Sequence, residues 1–144
     1  MITLEDLKKL RYYDSVIQSA EERIADLRRK AEGLTRSLNG MPRATSHQDK
    51  MADYMARLES MEADLGEQLV KLVELERKVG DAISQLPAQQ AVIMHYRYLA
   101  VRNGRRLSWR EVARKTGYSK DHCKTIHRVA VKNLTGEQYG SDSK

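Results

Sequence analysis

Phenylalanine is absent from the 144 residues, and Cys, Trp and Pro number one, one and two. The lone Cys123 excludes an internal disulfide, so a reducing, cytoplasmic setting is expected. Two Pro and eight Gly exclude collagen-like and Pro/Gly-rich disordered chains. No uninterrupted apolar run is longer than Ala91–Met94, far short of the ~20 residues that span a bilayer. The opening Met1-Ile2-Thr3-Leu4-Glu5-Asp6 has acids where a secretory signal needs bases, so neither a signal peptide nor a membrane partner is expected.

What is present is charge, unevenly spread. The formal net charge is +6. Residues 1–86 carry 14 Lys+Arg and 16 Asp+Glu, a net of −2, and residues 87–144 carry 12 and 4, a net of +8. A strongly basic part joined to a near-neutral one suggests a polyanion-binding unit with a separate appendage, and nucleic acid is the commonest soluble polyanion.

The near-neutral part reads as two long helices. Leu10, Tyr13, Ile17, Ala20, Ile24, Leu27, Ala31, Leu34 and Leu38 alternate steps of three and four, a heptad seam. Thr3 suits an N-cap, and Asn39-Gly40 with Pro42 suits a stop, giving a helix from Leu4 to Leu38. After a polar loop to His47, with Ser46 as a cap, a second helix is expected from Gln48 to Leu86. Its apolar series is Met51, Met55, Leu58, Met61, Leu65, Leu69, Leu72, Leu75, Val79, Ile83 and Leu86. Acid-to-base i,i+4 pairs (Glu5/Lys9, Asp26/Lys30, Glu32/Arg36, Asp53/Arg57, Glu67/Lys71 and Glu74/Lys78) mark solvated faces. A short loop makes the helices antiparallel. The seam predicts homo-oligomerisation through these N-terminal helices, a dimer first of all.

The basic part reads as a helix-turn-helix. Pro87 opens a helix over Ala88–Ala100, followed by a basic loop from Val101 to Leu107. Ser108-Trp109-Arg110-Glu111 is a capping box for a helix to Lys115. Gly117 permits the turn, and Ser119 caps a last helix to Leu134 with Cys123, Ile126, Val129, Ala130 and Leu134 inward. Its other face shows Lys120, Asp121, His122, Lys124, Thr125 and Arg128, types that hydrogen-bond base edges and phosphates in a major groove. In this setting Arg102, Arg105 and Arg106 are read as phosphate contacts.

The run Leu86-Pro87…Tyr96-Arg97-Tyr98-Leu99…Leu107-Ser108-Trp109-Arg110-Glu111-Val112-Ala113…Gly117-Tyr118-Ser119…Ile126-His127-Arg128…Ala130…Leu134 resembles region 4 of sigma-70 family factors, a promoter-reading module that touches the RNA polymerase flap. The whole chain, with Leu38-Asn39-Gly40-Met41-Pro42-Arg43 and Asp49-Lys50, resembles small phage and prophage regulators of RinA and ArpU type. The resemblance implies base contacts from Lys120, Asp121, Lys124 and Thr125. It implies phosphate contacts from Arg110, His122 and Arg128. Helix N-termini attract phosphates, which adds Ser108 and Ser119, and the Trp109 indole N–H is a further donor candidate. It also implies RNA polymerase as a partner beside double-stranded DNA, in the cytoplasm and on the nucleoid of a bacterial host. Nothing in residues 1–86 is similar to sigma region 2, so a complete sigma factor is not expected.

The expected fold is therefore all-α: a helical hairpin over 1–86, a region-4-like domain over 87–136, and a flexible tail over 137–144. The expected function is sequence-specific transcription regulation. The alternatives are a DNA-packaging protein like a terminase small subunit, and an interaction scaffold without DNA binding. Enzyme activity, cofactors and metals are not expected. Asp121, His122 and Cys123 project about 100° apart on a helix and cannot converge. Cys123 and His127 have no second pair at zinc spacing.

Overall fold

The computed structural model describes the backbone of residues 2–39 and 45–137, and the side chains of residues 2–36 and 49–137. The Gly40–Arg43 turn and the 138–144 tail lie outside the described residues. The elements in order are α1 (Leu4–Asn39), α2 (Thr45–Ile83), α3 (Ala88–Met94), a π-helical turn (His95–Leu99), β1 (Val101–Arg102), β2 (Arg105–Arg106), α4 (Trp109–Thr116) and α5 (Lys120–Thr135). Among the described residues the fold is all-α apart from the four residues of the β1–β2 ladder. Packing divides the chain into a terminal unit, Met1–Ser15 with Lys71–Lys144, and a middle unit, Val16–Val70. The charge boundary at Pro87 is thus not the packing boundary. The first turns of α1 and the last turns of α2 carry apolar residues that are buried with α3 and α5.

In the middle unit, α1 and α2 pair through Ile24 and Leu27 against Leu58, flanked by Tyr54, Met61 and Leu65. Arg28 and Glu62 form an ion pair across this pairing. The α1 seam lies where its spacing predicts, with Leu38 outside the described side chains. The α2 seam needs correction. Met55 and Leu69 are exposed (54% and 41%), and the half-buried residues at those points are Tyr54 and Gln68. Met51, Tyr54, Leu58, Met61, Leu65, Gln68, Leu72, Leu75 and Val79 form an unbroken three-four repeat, so α2 is as regular as α1. A tyrosine and a glutamine at two seam points conceal it in an apolar count. Ala20 and Gln68 line a groove of about 470 Å³ that the seam leaves unfilled. Asp26–Lys30 and Asp53–Arg57 pair within their helices at 3.4 and 3.2 Å.

The terminal unit holds two apolar clusters. One joins Ile2, Leu7 and Leu10 to Val79 and Ile83, and to Met94, Tyr98, Ala130, Val131 and Leu134. The other joins Ile93, Leu107, Trp109 and Val112 to Cys123 and Ile126. Lys78 pairs with Asp6 at 3.3 Å, where the sequence predicts Glu74. The Asp6 carboxyl is held below its ordinary range: burial raises it, but the Thr3 N–H and Lys78 outweigh that. The single helix expected over Ala88–Ala100 changes pitch after Met94, and the Ala100 N–H donates to the His95 carbonyl at 2.9 Å.

Candidate nucleic-acid interface

The helix-turn-helix is built from local signals. Ser108 Oγ accepts the Glu111 N–H at 3.3 Å while Glu111 Oε1 accepts the Ser108 N–H at 2.9 Å, a reciprocal capping box that starts α4. That second bond, above all, holds the Glu111 carboxyl below its ordinary range. Gly117 ends α4 at φ 83°, a left-handed conformation that side chains resist. Ser119 Oγ then accepts the His122 N–H at 3.1 Å and starts α5.

The buried side of α5 comprises Cys123, Ile126, His127, Ala130, Val131 and Leu134. Val129, expected inward, is 49% exposed. At about 100° per residue it lies far from that arc, and Val131 and His127 take its place. The opposite side exposes Lys120, Asp121, His122, Thr125 and Arg128, with Lys124 half-buried beside them. All four residues expected to touch bases therefore fall on the first two turns of one helix. Thr125 Oγ1 donates to the Asp121 carbonyl at 3.0 Å, and Arg128 Nη2 lies 3.4 Å from Thr125 Oγ1. His122 packs edge-on to Tyr118, their centroids 5.0 Å apart.

The residues expected to touch phosphate divide. Ser108, Arg110, Ser119, His122, Arg128 and Arg105 are exposed. Arg106 and Trp109 are buried, which corrects their assignment. Arg106 Nη1 lies 2.9 Å from Glu76 Oε2, and its Nε lies 3.2 Å from Asp14 Oδ1. The Arg106 N–H donates to Asp14 Oδ2 at 2.6 Å, and Nη1 donates to the Leu99 carbonyl at 3.2 Å. This guanidinium ties β2 to α1 and α2 and is spent on them. The Trp109 ring lies under the Arg97 guanidinium, 4.2 Å from its centroid, and edge-on to His127 at 4.9 Å.

His127 is fully buried, and its Nε2 shares a 2.7 Å hydrogen bond with the Tyr98 hydroxyl. Burial, reinforced by the charges of Arg97, Arg11 and Arg128, pushes its pKa down to about 3. It is thus a neutral core group. Cys123 is also buried, with Sγ 3.6 Å from Thr116 Oγ1. Among the described residues, no three or more His, Cys, Asp and Glu group as metal ligands.

The expected basic loop is a β-hairpin. Val101 pairs with Arg106 and Arg102 with Arg105 around Asn103 (φ 55°) and Gly104 (φ 77°), a turn of I′ type. The spacing of α1 gave no sign that Arg11 joins this region. Its Nη1 donates to the carbonyls of Arg97 and Leu107 at 3.0 and 3.1 Å. No described helix is long and apolar enough to cross a membrane. No protein-family model matches the chain, and no curated protein or solved structure is significantly similar to it.

Proposed function

We propose that the chain is a sequence-specific, double-stranded-DNA-binding transcription regulator of phage or prophage type, with α5 as the recognition helix. One observation carries this reading. Two capped helices are joined by a left-handed glycine, and the second buries one side while presenting Lys120, Asp121, Lys124 and Thr125 on the other. Those side chains match the donor and acceptor chemistry of base edges and phosphates in a major groove. Arg110, Ser119, His122 and Arg128 flank them as backbone contacts, which position the helix without reading sequence. From the resemblance to sigma region 4 we infer host RNA polymerase as a partner, with the work done in the bacterial cytoplasm, on the nucleoid. Lacking a region-2 counterpart, the chain acts beside a polymerase without being a complete sigma factor. A dimer would present two recognition helices to paired half-sites.

The test is selection of bound duplexes from a random library with the full chain, followed by gel shift. A defined consensus is expected, altered by Lys120→Ala or Thr125→Ala. Recovery of unenriched sequence would overturn the reading.

A further inference from the structure

Thr125 stands in the second turn of α5, exposed on the side away from the buried arc. Its hydroxyl hydrogen is already committed, because Oγ1 donates to the Asp121 carbonyl at 3.0 Å. The same oxygen accepts from Arg128 Nη2 at 3.4 Å. A threonine hydroxyl carries one hydrogen, so donation to the helix backbone leaves none for a base edge. While that bond holds, Thr125 has nothing to donate to guanine O6 or N7, adenine N7 or thymine O4. Its accepting side is turned to Arg128.

The γ-methyl is what remains on offer. In a helix, threonine settles its χ1 angle by bonding Oγ1 to a carbonyl one turn back. The bond to Asp121 therefore fixes Oγ1, and with it the methyl on the same Cβ. Threonine is among the weaker helix formers, so an exposed one in α5 costs the helix a little stability. A methyl held in place on this side matches one feature of a major groove. Among the four bases only thymine presents an apolar group there, its C5-methyl.

We propose that Thr125 determines specificity by reading a thymine, methyl against methyl, with its hydroxyl serving only to hold the methyl in position. The inference rests on α5 being the recognition helix, and names what one of its side chains recognises.

The experiment uses the full chain and the duplex consensus obtained by selection. Each thymine of that duplex is replaced in turn by deoxyuridine, which keeps the base pair and O4 and lacks only the C5-methyl. Affinities are measured by gel shift for the wild type, Thr125→Val and Thr125→Ser, each checked for unchanged thermal unfolding. Valine keeps a methyl and loses the hydroxyl, whereas serine keeps the hydroxyl and loses the methyl. At one position the wild type should bind the deoxyuridine duplex about fourfold more weakly, the worth of burying one methyl. Thr125→Val should show the same loss there, and Thr125→Ser should bind both duplexes alike. Three results would overturn the inference while leaving α5 as the DNA reader: a wild type indifferent to deoxyuridine at every position, a loss that persists in Thr125→Ser, or a loss abolished in Thr125→Val. Failure of the wild type to select any consensus would overturn the reading of α5, and this inference with it.

Discussion

Arg106 and His127 are polar residues placed inside, and each does so at a definite energetic cost. Two carboxylates surround the Arg106 guanidinium, so its removal leaves Asp14 and Glu76 facing each other across the gap. Breaking a buried ion pair by deleting one partner costs about 3–5 kcal/mol. Glu76 is one-third exposed, which places Arg106→Ala at the lower end, about 3 kcal/mol by urea unfolding. His127 stays neutral in the fold down to about pH 3, while the unfolded chain takes up its proton near the ordinary 6.5. Its folded pKa is depressed, so its contribution is intact above pH 6.5 and is lost as pH falls from 6.5 towards 3. The expected slope is about 1 kcal/mol per pH unit between pH 6 and 4. His127→Gln should flatten that window in a pH series of urea melts; an unchanged slope would assign it to other groups. Neither burial was legible in the sequence. Arg106 sits among exposed arginines, and its counter-charges lie 92 and 30 residues earlier on α1 and α2. His127 fell on the inward side of α5, but Val129 was assigned there ahead of Val131.

At the scale of elements, local chemistry was read well and long-range placement less so. The Ser108 box, the Gly117 turn and the Ser119 cap involve neighbours within four residues, and all three were readable. Asn103-Gly104 is as local a signal as these, and is the strongest short hairpin signature. Flanking arginines concealed it, because exposed strands this short show no apolar alternation. The α1 and α2 seams were visible as periodicity, but in the middle unit Ile24 and Leu27 are used against Leu58 inside the chain, and Leu10 and Val79 are buried with α3 and α5. The proposed self-association would therefore use residues outside these seams. Within the middle unit α2 also exposes Leu69 and Val70, two adjacent apolar side chains outside the seam. We propose Leu69 and Val70 for the dimer contact. Light scattering of the full chain should show a dimer reduced to monomer by Val70→Lys. A dimer indifferent to Val70→Lys would move the contact elsewhere.

For the whole molecule, the useful division is not the one that charge suggests. Apolar residues after Pro87 pack on the first turns of α1 and the last turns of α2, so the proposed DNA-reading part and those helix ends form one packed unit. Interior ion pairs run through that unit, with Asp14 of α1 and Glu76 of α2 holding the hairpin at Arg106. Sequence reasoning missed this because the contacts join residues far apart, and composition averages them away. The split of −2 against +8 still matters for function, since the excess positive charge faces solvent on α5 and the hairpin. The central claim is that α5 reads DNA, and the salt dependence of duplex binding tests it most directly. With a selected duplex, log affinity should fall linearly with log salt, and Lys124→Ala should weaken binding and reduce the slope by about one. Duplex affinity that is negligible at low salt, or a slope and affinity unmoved by Lys124→Ala, would contradict the account.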